Sequence, residues 1–124
     1  MIKNQNHINY YFLFILMEVS VNKIWFDFIN QKKKTVEGRL NKGKFKEFKK
    51  GDIIYFKNDD KKIKVLIKNI SSYKTFQEYL EMEGLKRTLP GIKTIEQGKE
   101  VYYTYYTQEQ EREFGILAIE VKKI

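Results

Sequence analysis

The chain has 124 residues, with 24 lysines and arginines against 16 aspartates and glutamates, a net charge of +8 at neutral pH. It carries no cysteine and one histidine, His7. That excludes thiol catalysis, disulfides, cysteine metal centres and any chemistry that needs two histidines, so neither a metal nor a cofactor is expected. A chain of this length fits one domain, expected over residues 8–124 after a flexible polar stretch at residues 1–7. Between residues 32 and 50 there are nine basic residues and two acidic ones, so this segment carries seven of the eight net positive charges. A charge that localised is the electrostatic footprint of a polyanion-binding surface, or else a lysine-rich solvated loop.

The apolar run "YYFLFILM" at residues 10–17 is too short for a membrane helix, which needs ~20 residues, and no small-residue cleavage site follows it. Aromatic and β-branched, it reads as part of a first strand at residues 8–18, buried on both faces. The protein is expected to be cytoplasmic or nuclear, not secreted, with no membrane partner. Ser20 then reads as the N-cap of an amphipathic helix, "VNKIWFDFINQ", with Val21, Ile24, Trp25, Phe28 and Ile29 on one face. The basic segment begins extended at residues 34–40 and turns at "KKGD" into a strand at residues 52–57. "NDDKK" closes a hairpin into "KIKVLIKNI", where Ile63, Val65 and Ile67 alternate with wet positions. "TFQE" reads as a capping box of Thr75 and Glu78, opening a helix that ends near Gly84. "LPG" is a turn. "TIEQ" reads as a second capping box, before a helix with Ile95, Tyr102, Tyr105 and Tyr106 on its core face. "TQEQERE" adds a helical turn, and "GILAIEVKKI" is a last strand. The order β-α-β-β-β-α-α-β predicts an α+β fold, a small mixed β-barrel flanked by helices.

Motifs for common chemistries are missing. "NKGKFKEF" is no phosphate loop, and none of the three serines sits in a nucleophile elbow. What stands out is "KKKTVEGRL". On a strand Glu37 and Arg39 share a face. Lys34 would point the other way, unless the junction before the strand turns it. Beside two cations Glu37 stays ionised, a poor general acid but a good acceptor for an amide, a ribose hydroxyl or a base amino group. Arg39 can fork onto phosphate. The alternative is a charge-paired strand with no cavity. Trp25 and the exposed Tyr103 are candidate stacking surfaces; Tyr102, Tyr105 and Tyr106 read as core.

"KKKTVEGRL", "KKGDIIYF", "SYKTFQEYLE", "LPG" and "YYTYYTQEQEREFGILAIEV", in this order over residues 8–121, resemble the activating-signal-cointegrator homology (ASCH) family. Its signature is a glycine, a lysine two places on, a glutamate three further and an arginine two beyond. Lys34, Glu37 and Arg39 fill the last three places, and Lys32 stands where the glycine is expected. The resemblance implies a PUA-like β-barrel with a cleft at the signature residues and a role in RNA binding or modification. Some relatives are acetylcytidine amidohydrolases using a lysine, a threonine and a glutamate. Lys34 matches their lysine, but Glu37 occupies the threonine's place, Thr35 is only its neighbour, and Glu81 and Glu83 are loose matches for the third member.

Three readings stay open. The first is a nucleic-acid module, RNA above all, using Lys32, Lys33, Lys34, Glu37, Arg39, Lys42, Lys44, Trp25 and Tyr103. The second is a hydrolase on RNA or a modified nucleoside, with Lys34 and Glu37 catalytic. The third is an adaptor whose basic face docks an acidic partner.

Overall fold

The structure, a computed structural model, describes residues 17–124. The expected strand at residues 8–18 lies outside the described residues except for its end, as do His7 and nearly all of the apolar run. The described elements are β1 (Glu18–Ser20), α1 (Lys23–Asn30), β2 (Val36–Leu40), a 3-10 turn (Gly43–Glu47), β3 (Ile53–Asn58), β4 (Lys61–Tyr73), α2 (Phe76–Glu83), α3 (Leu85–Thr88), α4 (Ile95–Tyr103), α5 (Gln108–Phe114) and β5 (Ile116–Lys123). The five strands form one sheet in the order β1-β3-β4-β5-β2, with β1 parallel to β3 and the other pairs antiparallel. A register shift between Ile67 and Asn69 breaks the long β4 ladder, as a bulge that bends a strand does. The expected α+β fold holds, with the barrel open as a half-barrel; α5 is the helical turn expected at "TQEQERE", and the short helix α3 is the one not foreseen.

The apolar sequence of β5 explains how the sheet carries two cores. Successive strand residues face opposite sides. Leu117, Ile119 and Val121 join Val19, Phe26, Ile29, Ile54, Phe56, Val65 and Ile67 under α1. Ile116 and Ala118 join Val36, Phe76, Tyr79, Leu80 and Tyr102 under the later helices. There Phe76 stacks on Tyr102 with ring centroids 4.7 Å apart.

Several local expectations are corrected. Ser20 ends β1, and the N-cap of α1 is Asn22, whose side chain makes no capping bond. The helix therefore starts later than its hydrophobic pattern suggests. It buries Phe26 and Ile29, while Ile24 is 57% exposed. Thr75 and Thr94 cap α2 and α4 as expected, each accepting from the backbone N–H three residues on. The reciprocal half of each box fails, because Glu78 and Gln97 accept from the N–H groups of Lys74 and Lys93, one residue too early. The complete capping box is at α5, between Thr107 and Gln110.

Lys32 sits at the turn after α1 with φ 64°, in the left-handed region. The glycine expected there would take this conformation without strain, whereas a lysine does so at ~1–2 kcal/mol. Lys32→Gly should therefore raise stability by about 0.5–1 kcal/mol, after the extra entropy of glycine in the unfolded chain is set against the relieved strain. Urea denaturation checks this; a destabilised variant would mean that the lysine side chain contributes more than its backbone costs.

Candidate functional site

The site forms where β2 leaves the end of α1. Lys33 and Lys34 both donate their backbone N–H to the Phe28 carbonyl, at 2.9 and 3.1 Å, which closes the end of the helix tightly. Thr35 N–H donates to the Arg87 carbonyl at 3.0 Å and fixes the segment against α3. This bend turns Lys34 inward, onto the side where Glu37 lies. Its ammonium donates to the Val36 carbonyl at 2.8 Å and to the Thr88 carbonyl, and stands 3.2 Å from Glu37 Oε1. An ammonium has three donors, and all three are engaged. Glu37 Oε2 accepts from Arg39 Nε at 3.0 Å and lies 2.9 Å from its Nη2, which also donates to the Ser20 carbonyl at 2.7 Å.

Exposure falls inward along this chain of charges: the side chains of Arg39, Glu37 and Lys34 are 19%, 9% and 1% exposed. Burial works against the Glu37 carboxylate, but Lys34 and Arg39 outweigh it and hold the carboxyl below its usual range. Burial lowers Lys34, against the pull of Glu37. Burial also works against the Arg39 cation, but Glu37 more than offsets it, so Arg39 is held charged.

Above Glu37 and Arg39 opens a cavity of about 160 Å³. Trp25, Tyr105 and Tyr106 line it, with Asn22 and Leu89 among the remaining residues. The Asn22 side-chain amide donates to the Tyr105 hydroxyl, joining the start of α1 to the loop after α4. The paired charges therefore border a space, unlike a charge-clamped strand without one. Among the described residues no group of three or more histidines, aspartates and glutamates is placed to hold a metal ion.

The model of the ASCH domain matches residues 19–124. The chain belongs to the ASCH family. None of the curated proteins matches it. Among solved structures it is similar to the hypothetical protein PH0355, known from a crystal structure, at 40% identity and a TM-score of 0.81, over 86% of this chain and 97% of that one. It is similar also to PF0455 from Pyrococcus furiosus, known from a solution NMR structure, at 39% identity and a TM-score of 0.72, over 86% of this chain and 96% of that one. ASCH domains are generally regarded as RNA-binding.

In this ASCH domain Lys34, Glu37 and Arg39 lie side by side, and Trp25 walls the cavity they border. Tyr103 does not. It packs edge-on against Phe76 and donates to Glu111 at 2.8 Å, on the other side of α4. Burial, with the bond to Glu111, pushes its hydroxyl up to about 12. Glu111 also accepts from the Phe76 N–H at 2.7 Å, so this pair fastens α5 to the start of α2. Tyr105, expected in the core, is 52% exposed and lines the cavity. The helix ends at Tyr103, so its periodicity no longer places residues 105 and 106. Lys42 lies over the Phe114 ring at 5.1 Å, and the Lys44 ammonium donates to the Glu18 carbonyl. Neither lines the cavity. Lys32 and Lys33 are exposed and face a separate groove. No described helix is long and apolar enough to cross a membrane.

Proposed function

We propose that this ASCH domain binds nucleic acid, RNA in preference to DNA, and holds one unstacked nucleoside in the cavity above Glu37 and Arg39. The observation that carries this reading is an aromatic-walled cavity of about 160 Å³ bordered by an ionised acceptor and a cation. A cavity of ~150 Å³ admits a single benzene-sized ring, so this one suits one base and no more. Trp25 and Tyr106 offer stacking faces. A carboxylate has about four acceptor positions, and Glu37 uses three, leaving room for a base amino group or a ribose hydroxyl. Arg39 Nη1 has no hydrogen-bond partner among the described residues and is available to a carbonyl or phosphate oxygen. Sequence-reading RNA domains work largely on splayed single-stranded bases in this way.

The same geometry speaks against a hydrolase built on Lys34 and Glu37. A lysine whose three donors are all engaged has no free proton position, and a carboxyl held below its usual range is a weak base. A pure adaptor for acidic partners leaves the cavity without a role. Trp25 is the only tryptophan, so its fluorescence reports on the cavity. Titration with mixed single-stranded RNA should change it. Trp25→Ala and Tyr106→Ala should each weaken binding by about 1–3 kcal/mol, the usual worth of one stacked base, and deoxyribose oligonucleotides of matching sequence should bind less tightly. Undetectable binding at low salt, or binding that leaves Trp25 fluorescence unchanged, sinks the reading.

A further inference from the structure

Beside the cavity runs a second depression, open to solvent and about 700 Å³ in volume. Its lining is Lys32, Lys33, Leu85, Lys86, Pro90, Gly91, Ile92 and Lys93, four lysines and no carboxylate. All four lysines are exposed. None makes an ion pair or a side-chain hydrogen bond among the described residues. Some lysines elsewhere have a carboxylate beside them, as Lys23 has Asp27 and Lys99 has Glu96; what sets this groove apart is that four line one depression with no carboxylate among them. Four exposed lysines from two distant stretches of chain thus line one depression, and their summed positive potential attracts an anion.

The groove and the cavity share no lining residue, but they are built from adjoining residues of the same two segments. Lys33 precedes Lys34, and Pro90 follows Leu89, and both Lys34 and Leu89 line the cavity. The two walls are locked together by the Thr35 N–H to Arg87 carbonyl bond and by the Lys34 ammonium on the Thr88 carbonyl. The floor of Leu85, Pro90 and Ile92 is apolar, without an aromatic ring to stack a base. A lysine rim over such a floor suits a chain of phosphates and sugars and reads no sequence.

We propose that this groove carries the sugar-phosphate backbone of a single-stranded polynucleotide whose adjoining nucleoside occupies the cavity. The inference rests on the nucleic-acid reading of that cavity and adds where the strand goes. It also reassigns the basic footprint: Lys86 and Lys93 belong to it, and Lys42 and Lys44, expected there from the sequence, do not.

The test uses the full chain and a uniform RNA strand of about eight nucleotides, within the ~4–16 nucleotides that small single-strand-binding folds cover. Single strands give a log–log salt slope of about −0.7 per neutralised phosphate. Lys86→Gln/Lys93→Gln should flatten the slope by about 1.4 and lower affinity about 25-fold at 0.1 M salt. The charge-matched control Lys61→Gln/Lys64→Gln, on the β3–β4 hairpin, whose two lysines line neither the groove nor the cavity, should leave both within error of the wild type. If the two double variants bind alike, the groove is not the track, and the cavity reading stands untouched. If the wild type binds no strand at low salt, the cavity reading itself fails. Binding of poly-glutamate but not RNA, with the same dependence on Lys86 and Lys93, overturns the proposal in favour of an acidic protein partner.

Discussion

Replacing Lys34 by methionine is expected to destabilise the fold by about 3–5 kcal/mol, the usual cost of removing one partner from a buried ion pair. Three losses coincide. Glu37 keeps only Arg39 as a counter-charge, and the Val36 and Thr88 carbonyls lose their donor. Because burial makes an unmatched group expensive, the loss exceeds the ~0–1 kcal/mol typical of an exposed pair. Glu37→Gln should be costly for the mirror reason, since it strands a buried ammonium. The two changes together should cost less than their sum, by a coupling of about 0.5–3 kcal/mol. Urea denaturation of the four proteins measures this. A loss below about 1 kcal/mol for Lys34→Met would show that Lys34 is not a clamp.

The pH dependence follows from the same pair. The Glu37 carboxyl titrates below its ordinary 4.5 in the folded protein. Its contribution is therefore whole above 4.5 and is lost as the pH falls through the lowered folded value. The stability difference between wild type and Glu37→Gln should hold from 4.5 up to neutral pH and narrow below 4.5. Glu37→Gln is accordingly a poor test of function by itself, because it acts on the clamp as well as on the cavity.

The second large effect is expected at Gly38, between the two residues that border the cavity. A Cβ added there would lie 2.6 Å from Tyr79 Cζ and from its hydroxyl oxygen. Tyr79 is fully buried and shares a 2.9 Å hydrogen bond with the Tyr102 hydroxyl, so the ring cannot swing aside cheaply. Overpacking of this kind costs ~1–3 kcal/mol and sometimes more; Gly38→Ala should reach about 3 kcal/mol, because Tyr102 moves with Tyr79. Since Tyr102 also lines the cavity, ligand affinity should fall with stability. A variant with wild-type stability would mean that β2 can retreat from Tyr79.

The strands were legible because their patterns are local. Ile63, Val65 and Ile67, predicted from alternation, are 4%, 0% and 1% exposed. The signature spacing picked out Lys34, Glu37 and Arg39, although strand geometry alone would have turned Lys34 away; the bend that reverses it is made by bonds to Phe28 and Arg87, which no local pattern encodes. Tyr103 and Tyr105 exchanged places for a similar reason. Helical periodicity assigns faces only while the helix lasts, and this one stops between them. The lysines show the limit most clearly. Charge clustered along residues 32–50 is divided in space, while Lys86 and Lys93 arrive beside Lys32 and Lys33 only through the packing of α3 on β2.

The place of β2 in the sheet has a consequence for biosynthesis. Among the described residues it is an edge strand, laddered with β5 from Val36 opposite Glu120 to Leu40 opposite Ile116. Among the described strands, Glu37 and Arg39 lie only against one that is made about eighty residues after them. A nascent chain can close the β3–β4 hairpin before then, since that contact is short in sequence, whereas the ladder that carries Glu37 and Arg39 must wait for β5. A chain cut short before Ile116 would leave β2 without its β5 ladder.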